Sequence, residues 1–485
     1  MSLRLVLSGS TPGLWQLVVD GVETDERGMH PTAVSGSIRT ESHVVRLFGS
    51  AAVGPLILTA VEVVADDAQC RLPPPLSTHA LAGDVRTDSA AADSDGQLAV
   101  PVLDTRPGSA NVIYLDFDGE NVTETEWNTQ YGGPMAAAPF SMDSNMTAFS
   151  AKDIAVITTI VRGVAEDYAP WDISITTSRA RYDTADVSSR SHCVITNSVF
   201  AGFNTGGVAH MYAFPDSDYW QPTWIFASNL DMDVQHIASA AAHELGHQLG
   251  LFHDGRTGLG EYYPGHGIGA TSWAPIMGLP YGASITQWSD GDYFGATNTQ
   301  DDVYDVAWLN AVDPVPDDVP DSPAQALALD TTSIQAGAVL ASGVISNRND
   351  ADAFLVVVEH AGPFALDVTT LSQELPGMGN LDVRAELYDA NDGYTLIHVS
   401  DSPDVVTARV QAQATSYAKN WVVVVRGTGW GHPASANTTG YSNYGSLGAY
   451  TLSVSRWPAA PALCNSSSVR NRECEACSRR VSRIC

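Results

Sequence analysis

Apolar residues change their spacing three times along this chain, and each change predicts a different kind of element. From residue 1 to about 84, valine-rich runs at 14–19, 44–48 and 56–64 are separated by glycine and polar turns, which predicts short strands. Residues 85–109 hold few large apolar groups and many Asp, Ser and Ala, and read as a flexible acidic connector. Residues 112–117 give a strong strand signal. Ser150 followed by Asp153 reads as a helix N-cap opening a helix to about Tyr168, with Ile154, Ile157, Val161 and Val164 recurring at helical spacing on its core face. Strand-like runs come next at 173–177, 193–196, 208–212 and 224–227, and a second helix is expected over 234–249.

The pattern breaks again at 313–324, where Pro314, Pro316, Pro320 and Pro323 alternate with aspartates in a stiff acidic linker. Beyond it, runs at 353–358, 364–368, 383–387, 405–410, 421–425 and 449–454 have strand length and are separated by turn residues, as in a small β-sandwich. The expected organisation is multidomain: a β-rich N-terminal segment (1–84, a candidate propeptide), the connector, an α+β domain over 110–312, the linker, a sandwich over 325–457 and a tail over 458–485.

Composition narrows the partners. The chain has 485 residues, 44% of them hydrophobic, enough for two or three cores. A net charge of −31, with Lys152 and Lys419 as the only lysines, argues against nucleic acid and anionic membranes. No run reaches the ~18 apolar residues needed to span a bilayer. No signal-peptide pattern opens the chain, because residues 1–7 are short and polar residues follow at once. Cys464, Cys474, Cys477 and Cys485 crowd the arginine-rich tail; they read as two disulfides, with a zinc knuckle or redox centre as the other option. Cys70 and Cys193 either pair or stay free, and Cys70 has none of the surroundings of a cysteine switch.

The chemistry concentrates in one stretch, His243-Glu-Leu-Gly-His-Gln-Leu-Gly-Leu-Phe-His253. One helical turn separates His243 from His247, so both imidazoles leave one face and can take two corners of a zinc tetrahedron. Glu244 stands beside them as a base for a zinc-activated water. Gly250 lets the backbone leave the helix with positive φ, and the turn returns His253 as a third ligand. Three neutral nitrogens leave a coordination position open, the mark of a catalytic zinc. His210, His236 and His266 lack partners at metal spacing and are expected in ordinary core or surface roles. Asp116, Asp118 and Glu120 are candidate calcium ligands, or simply solvated turn carboxylates.

This extended motif, with Ala274-Pro-Ile-Met277-Gly278 downstream, resembles the metzincin metallopeptidases. Asp254, residues 113–119 (Ile-Tyr-Leu-Asp-Phe-Asp-Gly) and 273–278 resemble bacterial secreted reprolysin-like members, although the flanking cysteines of that group are missing. The resemblance implies a metzincin-like catalytic domain, a twisted sheet plus active-site helix. It also implies Met277 as a floor beneath the histidines, and a buried Asp254 bonded to backbone near the methionine turn. Gly207, Val208 and Ala209 would form an edge strand that pairs with an extended substrate, or an ordinary edge. Tyr281 would either lean toward a transition-state oxygen or be a plain turn aromatic. Asp350-Ala-Asp-Ala-Phe354 and residues 444–452 resemble the bacterial pre-peptidase C-terminal domain, which implies a spacing module or contact with an extracellular polymer. The function expected is a secreted or surface zinc endopeptidase acting on protein or peptide. The alternatives are an adhesion or polymer-binding protein with a dormant zinc domain, and a zinc amidase acting on cell-wall peptide.

Overall fold

Short β-branched and aromatic runs between residues 111 and 226 pair into one five-stranded sheet. A computed structural model describes residues 100–458 apart from 201, 332–333 and 416–418, and the backbone of five strands ahead of them (Ser2–Leu5, Trp15–Val18, Thr32–Arg39, His43–Ala51 and Ile57–Ala65). Three of those strands coincide with the predicted runs. Cys70, the connector up to residue 99 and the cysteine-rich tail lie outside the described residues. As a whole the described chain is mixed α/β, with few helices, several separate sheets and a β-rich C-terminal part.

Across the sheet the strands run Gly207–Val208, Thr223–Phe226, Arg190–Thr196, Asn111–Asp116 and Ile173–Thr176. All neighbours are parallel except Gly207–Val208, which lies antiparallel at one edge. The run expected over 208–212 is therefore only a two-residue strand; the chain turns away after Val208, and Tyr212 takes positive φ. Parallel strands are buried on both faces, which explains why residues 112–115 and 193–196 read as continuous apolar runs.

Two helices cover the sheet and share one core with it. Helix Ala151–Asp167 starts at Ser150, whose hydroxyl accepts from the Asp153 amide while Asp153 accepts the Ser150 amide, a reciprocal cap. Ile157, Ile160, Val161 and Val164 face the core, but Ile154, expected among them, is 38% exposed because it sits in the first turn, beyond the sheet. Helix Val234–Gln248 is capped by Asp233, buries Ile237, Ala241 and Leu245 in the same core, and approaches the first helix closely where Ala238 meets Gly163.

Both expected linkers prove to be partly tied down. Residues 101–106 run along the exposed edge of Ile173–Thr176: Thr105 N donates to Ile175 O, Thr177 N to Leu103 O, and Leu103 is buried. A sheet edge offers free backbone groups; this segment satisfies them and adds Leu103 to the core. The proline-rich stretch is likewise bonded on both sides, by Val315 N to Pro170 O and Ala353 N to Pro320 O, with Val319 buried in the C-terminal core.

Residues 327–456 hold two main sheets that share one core, and a small hairpin of Trp430–His432 with Thr439–Tyr441. Leu327–Ala328, Ala351–Val358, Lys419–Gly427, Val383–Asp389 and Thr395–Ser400 make the first in that order, and Val339–Ile345, Gly448–Arg456, Gly362–Thr370 and Ala408–Ala414 the second. The alternation pointed to six of these nine strands. Val339–Ile345, Leu327–Ala328 and Thr395–Ser400 escaped it because most of their residues are not buried. Polar groups join this part to the α/β part: Gln287 donates to Asn380 O and to Ser446 Oγ, and the Tyr444 hydroxyl donates to Asp301. Among the described residues no helix is long and apolar enough to cross a membrane.

Carboxyls at this seam make stability pH-dependent. Burial pushes Glu166 up to about 8, against one bond from Ala449 N, and pushes Asp382 up to about 7, against its bond from the Tyr441 hydroxyl. Both are raised in the folded state, so their stabilising contribution is complete below the unfolded carboxyl range. It is lost as pH climbs through about 4 to 8. Thermal melts from pH 5 to pH 8 should show a falling midpoint, by about 2–4 °C per ~1 kcal/mol lost, and Asp382→Asn should flatten the slope. A rising midpoint for the parent chain would contradict the assignment.

Candidate metal centre

Helix geometry brings His243 and His247 together, with ring centroids 4.8 Å apart, and the glycine turn adds His253 at 5.2 Å from the first and 4.6 Å from the second. Gly250 has φ +98°, and a Cβ there would lie 2.7 Å from the Tyr212 ring and 2.9 Å from Leu309, so both conformation and space demand glycine. One nitrogen from each imidazole lies within 4.8 Å of the others.

Hydrogen bonds decide which nitrogens these are. His243 Nδ1 bonds to Ile276 O at 2.9 Å and His247 Nδ1 to Leu251 O at 2.7 Å. A carbonyl can only accept, so each Nδ1 carries the proton and each Nε2 keeps its lone pair. His253 Nδ1 lies 2.5 Å from Glu261 Oε1, a carboxylate that selects the same tautomer. Burial and the neighbouring rings hold His243 well below the usual histidine range and His247 down to about 4, so both stay neutral. The His247 and His253 Nε2 atoms sit 2.9 Å apart. Such facing lone pairs repel unless a cation lies between them, so the donor set fits a divalent ion and suits zinc in particular.

Glu244 contributes no atom to this triangle. Burial alone pushes its carboxyl up to about 8, and a bound cation nearby would draw it back down. Its neighbour is the edge strand: a Cβ on Gly207 would lie 2.6 Å from Glu244 Cγ, so only glycine lets the strand pass this close. The strand ends at Val208, leaving the expected third member, Ala209, outside the ladder. Tyr281 completes this side. Its ring packs 4.7 Å from His236, its hydroxyl would be 3.3 Å from a Cβ on Gly206, and burial with Glu244 nearby raises its phenol.

Met277 is fully buried under the helix, and a Cβ on Gly246 would lie 2.6 Å from its sulfur. Gly246 is thus the position that admits the methionine, a role that the histidine spacing did not disclose. The turn is held by Trp273–Pro275 pairing with Ile285–Gln287 and by Ile276 N donating to Gln287 O. Asp254 is buried beside it as expected, but the link to the turn is made by its backbone, Asp254 N to Met277 O at 2.8 Å. Burial raises its carboxyl to about 7, and Oδ2 has no partner among the described residues.

Two neighbours of the centre, Glu261 and Tyr262, escaped the sequence reading, as did His192 in a separate group on the sheet. Glu261 and Tyr262 reach it from the loop after Asp254, with the Tyr262 ring 4.2 Å from that of His253; burial, Glu261 and Glu244 push its phenol up to about 12. His192 bonds Asp116 at 2.8 Å and groups with it and Glu120, whereas Asp118 falls outside that group. Their only signal was proximity, which a sequence does not display. His210, His236 and His266 stay away from the triangle: His210 stacks on Trp127, His236 bonds Tyr281 O, and His266 bonds the Tyr263 hydroxyl and Gly440 O. Among the described residues Cys193 is an unpaired, buried thiol in the sheet.

No protein-family model matches this chain, and no curated protein matches it. Among solved structures, the pre-peptidase C-terminal domain of a collagenase from Bacillus anthracis is similar over 28% of this chain and 96% of its own length, at 13% identity and a TM-score of 0.19. At that TM-score the likeness adds nothing to the two sheets described above.

Proposed function

We propose that the chain is a secreted or surface zinc endopeptidase of metzincin type, with His243, His247 and His253 as metal ligands and Glu244 as general base. The observation that carries this reading is one ring nitrogen from each of three imidazoles within 4.8 Å of the others, with a buried glutamate next to His243 in the chain and outside the group. When bound, the ion supplies Lewis acidity toward a peptide carbonyl and a water. The chain's own residues do the rest. Gly207 and Val208 offer edge backbone groups to an extended peptide, laying it past Glu244. Glu244 accepts the proton of the attacking water on a carboxylate oxygen and returns it to the leaving nitrogen. Tyr281 walls the same side, and Met277 with Gly246 holds the helix at its level.

The test is metal analysis of the purified chain together with digestion of casein, before and after a chelator and again after zinc is restored. The expected result is about one zinc per chain, cleavage that chelation abolishes, and recovery on zinc addition. Chelator-resistant cleavage, or a metal-free chain that takes up no zinc, would refute the reading. Digestion of peptidoglycan but not casein would move the substrate to cell-wall peptide.

A further inference from the structure

We propose that Tyr262 is a further catalytic residue, donating its phenol hydrogen to the substrate carbonyl oxygen as that oxygen becomes an oxyanion. The inference deepens the peptidase reading and rests on it. Its basis is where the ring lies and how firmly it is held. Tyr262 lies beside two of the three imidazoles, tilted against His253 with centroids 4.2 Å apart and near-parallel to His243 at 6.2 Å. Its ring therefore lies next to two candidate ligands.

The loop that carries it is pinned on both flanks. Arg256 N and Gly260 O bond at 3.0 Å and Gly260 N and Arg256 O at 3.1 Å, closing a tight turn just before it. Glu261 is held by His253 Nδ1, and Tyr263 N donates to Asp254 O. The next residue, Tyr263, is fully buried and stacks 4.8 Å from Tyr293, while Tyr262 is 44% exposed. One tyrosine anchors the loop, and its part-exposed neighbour is held beside the centre. Among the described residues the Tyr262 hydroxyl bonds to no protein group, so its hydrogen is available to a ligand. A donor that is positioned in advance and bonded to nothing in the free protein loses no prior bond when charge develops beside it.

Tyr262→Phe separates hydroxyl from ring, and Tyr262→Ala removes both. With Tyr262→Phe we expect unchanged zinc content, an unchanged KM and a kcat lower by about 10²-fold, the size of one lost oxyanion donor. Calorimetry supplies a readout apart from turnover. Binding of a phosphinic peptide, a tetrahedral mimic, should weaken by a similar factor, while binding of the cleavage-product peptide stays the same. A Tyr262→Phe chain with parental kcat and parental affinity for the phosphinic peptide would overturn the proposal. A defect confined to Tyr262→Ala would overturn it too, by showing the ring to be only a wall. A parent chain that binds zinc and cleaves peptide alongside a fully active Tyr262→Phe would sink this inference alone; an inert, zinc-free parent would sink both.

Discussion

Glu244→Ala is expected to bind zinc at the parental stoichiometry and to hydrolyse peptides about 10²–10⁴-fold more slowly. The separation follows from the geometry. Glu244 shares the helix with His243 and His247 but sits outside their triangle, against Gly207 of the edge strand. Removing it leaves the three Nε2 atoms and their Nδ1 anchors in place. It also removes a carboxyl whose charged form burial disfavours, so the variant should melt no lower than the parent, and somewhat higher. Side-by-side metal analysis, digestion and melting check all three. Parental turnover by zinc-loaded Glu244→Ala would end the case for this base.

His247→Ala should fail differently. Here the metal goes first: bound zinc falls well below one per chain and hydrolysis disappears with it. The ring is buried, its Nδ1 serves Leu251 O, and its Nε2 faces His253, so truncation opens a gap and orphans a carbonyl as well as a ligand. An ion that binds only the folded chain adds about 4 kcal/mol at a thousand times its Kd. The parent should therefore melt lower after chelation, and His247→Ala should melt low with or without chelator. A chelator-sensitive melt in the variant would show that the ion sits elsewhere.

The two variants divide the site as its legibility does. The triangle was readable because all three histidines lie within eleven consecutive residues, where helix pitch and one glycine turn set their directions. The helices were readable for the same local reason, through the Ser150 cap and the apolar periodicity. The edge strand was placed correctly but drawn too long, because strand length depends on the partner, Thr223–Phe226, and not on the strand's own alternation. Residues 101–106 misled in the other direction. Their polar composition spoke for a free connector, yet the open edge of Ile173–Thr176 satisfies their backbone.

What this sequence determined by itself was local: helix ends, strand-length runs, and three imidazoles with a carboxylate at spacings that a single helix and turn convert into directions. Tertiary packing alone decided what surrounds them. Glu261 fixes the tautomer of His253, Tyr262 lies beside two rings, Gly246 leaves room for Met277, and Gln287 ties the methionine turn to loops of the C-terminal part. Each of those depends on the distance between segments that the chain folds together. That distance is set by how cores fill space and by which buried polar groups find partners, and neither is written in any single stretch of residues.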